Sequence, residues 1–206
     1  IEEAGAIIVP TNKIKEELAR VFPSSLAKTF ALHHGVAPEF RVYPDALIED
    51  HLEEYGLKFK KYLLFVGTLE PRKNLSNILK SYELLPDSLR VAYPLVIIGN
   101  SGWRDEVYIK RIEKSLASDR IHWLRNFPRN RIAYLFSGAK LLLFPSLYEA
   151  FGLPALESMA SGVPPVISAG HSLEEVCGDA GIIVPPSDPK EIAIKVEESL
   201  LDKARY

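Results

Sequence analysis

Within SLYEAFGLPALESMASG (146–162), two carboxylates, Glu149 and Glu157, stand with seven residues between them, and a Gly-Leu-Pro lies in the interval. An ionised carboxylate only accepts hydrogen bonds, so it suits sugar hydroxyls as well as proton transfer. The spacing does not place the two side by side on one helix turn. It places them on either side of a helix start at Pro154, one toward each end of an extended ligand. Gly152 lacks a Cβ, so backbone can approach a ligand there. The free N–H groups of Phe151, Gly152 and Leu153 would face an anion at the helix start. The competing reading is that a helix N-terminus favours nearby carboxylates through its dipole alone.

The second group is Arg72-Lys73 in GTLEPRKN (67–74), two adjacent cations just before a helix beginning near Asn74. Arg offers a planar fork for phosphate oxygens and Lys a mobile point charge. Charge-assisted bonds of this kind are worth about 1.5–3 kcal/mol each. The competing reading is a solvated basic turn. The loop is not a P-loop: Arg72 stands where the second glycine belongs and Asn74 where Ser or Thr would hold magnesium. No G-x-G-x-x-G follows any apolar run, which leaves a nicotinamide or flavin site without support.

These loops need a scaffold, and short apolar runs supply one. They lie at 5–10, 28–33, 62–67, 94–99, 120–124, 140–145, 164–168 and 181–185. The runs are continuous rather than alternating, as in strands covered on both faces. Helical patterns fall between them at 12–21, 74–85, 105–117, 129–137, 153–161, 172–177 and 189–201. The succession predicts an α/β fold, a Rossmann-like parallel sheet with helices on both faces. Ser172 and Glu175 have the spacing of a capping box, Asp188 suits an N-cap before Pro189, and Gly162 suits a helix C-terminus. The segment 84–93 reads as a solvated turn. Residues 1–43 read as strand, helix, strand, too small for a domain, and are expected to be the tail of a preceding one. Residues 44–61 read as a linker and 62–206 as a complete domain. In open α/β sheets, ligands bind beyond the carboxyl ends of the strands. There this sequence collects GTLEPRKN, GNSGW, RNFPRN, PSLYEAFG and SAGHS, rich in Gly, Arg, Asn and Glu.

Composition narrows the classes. Net charge is −2 with 25% charged residues, so a nucleic-acid footprint is not expected. The single cysteine, Cys177, excludes an internal disulfide framework and a C-x-x-C site. No apolar run approaches the roughly 20 residues of a membrane span, and no signal peptide is visible. The only Met is Met159, so the chain reads as a piece of a longer protein. No Asp-x-Asp or paired-His metal cluster stands out. His33-His34 and His171 are candidates for a cleft, His122 for a structural role. Trp103 and Trp123 are candidates for base stacking, with Trp123 more at home in a core.

EAFGLPALE is an E-x7-E motif of the kind found in glycosyltransferase family 4, and the chain is similar to that family's group 1 type, which are retaining enzymes of GT-B fold. The likeness extends through LLFVGTLEPRKNL (63–75), FPSLYEAFGLPALESMASGVPPVIS (144–168) and EEVCGDAGIIVPPSDPKEIA (174–193). GAIIVPTNKIKEEL and HHGVAPEF resemble the end of the family's N-terminal domain. The resemblance implies that 62–206 binds a nucleotide-diphosphate sugar, with no metal and no other cofactor. Arg72 and Lys73 would neutralise the diphosphate, Glu149 would hold sugar hydroxyls and Glu157 the ribose. Backbone at Phe151, Gly152 and Leu153 would touch sugar and distal phosphate. Asn100 and Asn126, in loops 99–103 and 124–128, would surround the base, and Gly67 at the first strand's end completes the donor set. Two positions depart from the pattern: Gly67-Thr68 where many members carry Gly-Arg, and Arg125 where a Gly is usual. GTLEPRKN leans toward members that use GDP-mannose.

A saccharide or lipid-linked acceptor would bind through the N-terminal domain, leaving this piece inactive by itself. The resemblance points to polysaccharide biosynthesis in the cytoplasm or on the cytoplasmic membrane face, with membrane association open only through the rest of the protein. The rivals are a GT-B epimerase or phosphorylase, and a non-catalytic nucleotide-sugar-binding or interaction module.

Overall fold

The computed structural model of the chain describes residues 1–102, 109–110, 112–113 and 120–202. Trp103 and most of the helix expected over 105–117 lie outside them. All eight apolar runs form strands: β1 (Ile7–Val9), β2 (Thr29–Ala31), β3 (Leu63–Val66), β4 (Leu95–Ile98), β5 (Ile121–Leu124), β6 (Leu141–Phe144), β7 (Pro165–Ser168) and β8 (Ile182–Val184). The helices are α1 (Asn12–Val21), α2 (Asp45–Glu53), α3 (Leu75–Leu84), α4 (Asp87–Ala92), α5 (Ile132–Gly138), α6 (Leu153–Ala160), α7 (Ser172–Cys177) and α8 (Pro189–Leu201). Strands β1 and β2 pair by themselves. The other six make a parallel sheet in the order β5-β4-β3-β6-β7-β8.

Side chains alternate across a strand, and both faces here are apolar. Leu63, Phe65, Ile97, Leu141 and Leu143 pack with Ile78 and Leu79 of α3 and Ile192 and Val196 of α8. Leu64, Val96, Leu142, Phe144 and Ile167 pack with Phe136 of α5, Ala155 of α6 and Leu173 of α7. Two cores explain the unbroken apolar runs. The second core also takes Ile48 and Leu52 of α2, both essentially unexposed. The stretch read as a linker therefore contains a helix that packs against α5 within the second core. Its two buried residues, four apart, are masked in the sequence by the acidic residues around them. Helix α4 replaces the expected solvated turn, though none of its residues is buried. Among the described residues no helix is long and apolar enough to cross a membrane.

The strand order reverses between β3 and β6: the chain proceeds outward to β5 on one side and to β8 on the other. Loops leaving such neighbours diverge and open a crevice at the strands' carboxyl ends. GTLEPRKN follows β3 and PSLYEAFG follows β6, so both polar loops rise at that reversal.

Candidate functional site

After β3 the chain makes a single 3-10 turn, Pro71–Lys73, and reaches Asn74 with φ of 61°. Asn enters the left-handed region more easily than most residues because its short side chain bonds locally. Here that conformation turns the backbone into α3 and buries the amide. Asn74 Nδ2 donates to the carbonyls of Pro145, at 2.8 Å, and Pro186, at 2.7 Å. The Leu147 N–H donates to the Arg72 carbonyl at 2.8 Å. The loops after β3, β6 and β8 are thereby stitched together beneath the two cations.

Both cations meet Glu149. Lys73 Nζ lies 2.7 Å from Oε1 and Arg72 Nη1 lies 2.9 Å from Oε2. Arg72 also donates to Glu70, at 2.6 Å, and to the Tyr148 carbonyl, at 3.1 Å. Glu149 is only 7% exposed. A carboxylate this buried is costly unless paired, and the two cations pair it. Burial works against the Arg72 charge, but Glu149 and Glu70 more than offset it and raise its pKa above the ordinary guanidinium value. The Arg72 side chain is 40% exposed and Lys73 12%. One cation thus faces solvent while the other is enclosed, its ammonium 4.9 Å from the Phe144 ring.

Helix α6 begins beside this cluster. Gly152 precedes it with φ of 92°, and a Cβ there would stand 2.2 Å from the Leu173 side chain. The glycine is required by the packing of α6 against α7, independently of any ligand. No side chain caps α6, and Pro154 has no N–H to cap. Leu153 is exposed at the helix start, whereas Phe151 is buried beneath the edges of His33 and His34, with ring centroids 5.8 and 4.8 Å away.

Glu157 lies elsewhere. It sits partly buried in the second turn of α6. Burial raises its pKa, the nearby Arg129 opposes that and Glu39 adds to it. The E-x7-E interval therefore joins two separate environments: one carboxylate locked between cations, the other on the far side of the helix start.

Two strands away, the loops after β4 and β5 form a cleft of about 870 Å³ lined by Tyr55, Asn100, Trp123, Arg125 and Asn126 among others. The Asn126 N–H, on a residue with φ of 50°, donates to Asn100 Oδ1 at 2.7 Å. Trp123 Nε1 donates to the Gly99 carbonyl at 2.9 Å. Gly99 admits no side chain, because a Cβ would fall 1.9 Å from the Gly67 carbonyl. Gly67 thus lies at the junction between the cation loop and the cleft, with the Lys73 stem against it. Trp123 both packs on the core and lines the cleft.

The first 43 residues reach the same edge. Thr11, fully buried, donates to the Ala150 carbonyl at 3.1 Å and meets Ser172 Oγ at 3.0 Å. Tyr148 donates to Glu17 of α1 at 2.8 Å, and its ring lies 6.2 Å from that of His171. The capping box expected of Ser172 and Glu175 does not form. Ser172 stands one residue inside α7 rather than at its N-cap, and Glu175 reaches across to α1. There it accepts the N–H groups of Asn12 and Lys13 at 2.8 and 3.0 Å, and it lies 2.8 Å from His33 Nε2. Burial raises the Glu175 pKa, but these donors outweigh it and hold the carboxyl below its ordinary value. The other caps are as expected: Asp188 accepts from Lys190 and Glu191, and Gly162 follows α6 with φ of 71°.

Arg72, Lys73 and Glu149 thus come together, with Phe151, Gly152 and Leu153 beside them. Asn100 and Asn126 pair in the cleft, and Glu157 stands apart. Asn74, Thr11 and Glu175 hold these pieces in place, and the sequence reading assigns none of them that part: Thr11 goes unremarked, Asn74 is only a helix start and Glu175 only a capping-box member. Asn74 left one trace, an Asn directly ahead of a helix. The other two make contacts more than a hundred residues away, for which spacing gives no sign.

The sequence model of the family described as "Glycosyl transferases group 1" matches residues 48–206. The chain is 34% identical over 202 residues to O-antigen chain mannosyltransferase B of Escherichia coli, covering 98% of this chain and 53% of that protein. Among solved structures it resembles WaaG, a glycosyltransferase involved in lipopolysaccharide biosynthesis, at 22% identity and a TM-score of 0.80, covering 94% of this chain and 53% of that one. It also resembles HepE of Anabaena in complex with UDP, at 17% identity and a TM-score of 0.85, covering 98% and 55%. The chain spans about half the length, or less, of the curated relatives it matches first.

Proposed function

The chain belongs to the group 1 glycosyl transferases, and on that premise we propose that it is the donor half of a retaining, metal-independent hexosyltransferase that moves mannose from GDP-mannose to a saccharide or lipid-linked acceptor. In this reading residues 62–206 bind the nucleotide-sugar, and 1–43 are the tail of the acceptor domain. Residues 44–61, with α2, join them. The acceptor would be met through the remainder of the protein, which would work in the cytoplasm or on the cytoplasmic membrane face. The mannosyltransferase relative and the GTLEPRKN loop support the donor, and the relative's name supports a place in polysaccharide assembly. A nucleoside diphosphate in a neighbour of the same fold supports the ligand class.

The observation that carries the reading is the Arg72–Lys73–Glu149 cluster at the strand reversal, beside the uncapped start of α6. Glycosyl transfer loosens the anomeric bond, and the departing diphosphate gains charge. Cations and N–H dipoles fixed where that charge grows stabilise the transition state more than the ground state. Arg72, Lys73 and the N–H groups of Phe151 to Leu153 would take that role, in place of a metal ion. Glu149 would hold the cations in position. An ionised carboxylate offers about four lone-pair sites, so it can keep both ion pairs and still accept from sugar hydroxyls. Glu157, beyond the helix start, would accept from the ribose, and Asn100 and Asn126 would flank the base.

The test uses the complete enzyme, GDP-mannose and an acceptor extract, with the product's anomeric configuration read by NMR. Retained configuration and full activity in EDTA are expected. An inverted product, or activity abolished by EDTA and restored by a divalent cation, would contradict the reading.

A further inference from the structure

The cleft beyond β4 and β5 is lined by Tyr55, Asn100, Ser101, Trp123, Arg125 and Asn126 among others. Asn100 Oδ1 accepts from the Asn126 N–H at 2.7 Å, which fixes the two loops against each other. The cleft's one cation among its described lining residues is Arg125, an exposed residue that makes no ion pair with any described residue. Its guanidinium carbon lies 4.8 Å from the centroid of the Trp123 ring. That ring is itself pinned by Nε1 to the Gly99 carbonyl at 2.9 Å. A guanidinium stacked on a fixed ring is pre-oriented, so its planar fork is presented with little entropy left to lose. Strand β5 lies two strands from β3. At about 4.8 Å per strand, this fork stands on the order of 10 Å along the sheet edge from the diphosphate loop.

Base edges differ in what they offer such a fork. Guanine presents two adjacent acceptors, O6 and N7. Adenine presents N7 beside an N6 donor. Uracil presents the O4 acceptor between an N3 donor and a carbon. Of these three, only guanine can accept both parallel N–H groups of one guanidinium.

We propose that Arg125, braced by Trp123, is the residue that selects guanine in the donor, through paired hydrogen bonds to O6 and N7. This rests on the nucleotide-sugar reading above and deepens it. A lysine at 125 would keep the charge and lose the fork, so selection would fail while general attraction for an anion remained.

The test is calorimetric titration of the complete enzyme with GDP, inosine diphosphate, 7-deaza-GDP, UDP and ADP, repeated with Arg125→Ala and Arg125→Lys. The native enzyme should bind GDP and inosine diphosphate at least about tenfold more tightly than the other three. Both variants should lose that preference by weakening GDP to the level of UDP, with UDP and ADP changed less than about twofold. Since Arg125 is exposed, both variants should melt with the native enzyme. A guanine preference that survives in Arg125→Ala overturns the proposal, as does a native enzyme that prefers UDP or ADP. In either case the nucleotide-sugar reading stands. Failure of all five to bind the native enzyme overturns both.

Discussion

Two neighbouring stretches of the same sheet edge are built in opposite ways. At the ends of β3 and β6, two cations and a buried carboxylate close on one another within 3 Å, and Asn74 and the Leu147 N–H lock their loops from below. At the ends of β4 and β5, an open cleft holds an exposed Arg125 and an asparagine pair. The first region has both cations and its carboxylate paired before any ligand arrives. The second keeps donors in reserve. Chemistry on an anomeric carbon depends on charges that need no rearrangement as the bond breaks, and a committed cluster provides that. Choosing among bases depends on groups left unsatisfied until the right edge arrives, and an open cleft provides that.

Substitutions can break or sharpen this contrast. The largest effect should come from Lys73→Ala, the enclosed cation. Turnover of the complete enzyme should fall about a hundredfold or more, as lost transition-state stabilisation. Steady-state kinetics with saturating donor checks it, and near-normal turnover would remove Lys73 from the chemistry. Next comes Asn74→Gly, which keeps the left-handed backbone but deletes both amide bridges. Misplacement of the cations should lower turnover roughly tenfold. The Pro145 carbonyl would lose its amide donor, while Asn77 Nδ2 still reaches the Pro186 carbonyl at 3.1 Å, and the loss should cost about 1–3 kcal/mol of stability, measured by urea unfolding. If turnover holds while stability drops, Asn74 is scaffold alone.

At the open end, Asn100→Ala releases the Asn126 backbone and removes a donor. Donor KM should rise about fivefold with kcat unchanged at saturation. A fall in kcat equal to that of Lys73→Ala would erase the distinction between the regions. The smallest effect concerns the fastening of α1. The Glu175 pKa is held below its ordinary value, so its contribution to stability is complete above the unfolded value of about 4.3 and fades as pH falls through the folded value. The melting-temperature deficit of Glu175→Gln should therefore be greatest near neutral pH and shrink below about pH 4. A deficit that is constant with pH would show that charge on Glu175 plays no part.

The strands and the site loops were legible because each rests on local sequence. Continuous apolar runs such as Leu63–Val66 and Leu141–Phe144 have one natural place, between two helical layers, and the polar residues that follow them can only lie at a strand's carboxyl end. Helix α2 was not legible, since Ile48 and Leu52 are a thin apolar stripe in an acidic segment. Their burial depends on a core formed by residues eighty and more positions later. The pairing of Glu149 with both cations was hidden for a related reason. Sequence puts Arg72-Lys73 and Glu149 on neighbouring loops but does not say that the carboxylate turns inward between them. The Ser172 and Glu175 spacing shows the opposite hazard: a local motif was present, and the side chain found stronger partners in the orphan N–H groups of α1.

The central claim is that the cluster at β3 and β6 receives the diphosphate. Calorimetric titration of GDP into the 206-residue chain tests it most directly, comparing the native protein with Lys73→Ala/Glu149→Gln, which removes cation and carboxylate together and leaves no buried charge unpaired. The account predicts that the native chain binds GDP and that the double variant, melting as a folded protein, binds it at least about tenfold more weakly. Equal affinity in the two would contradict it.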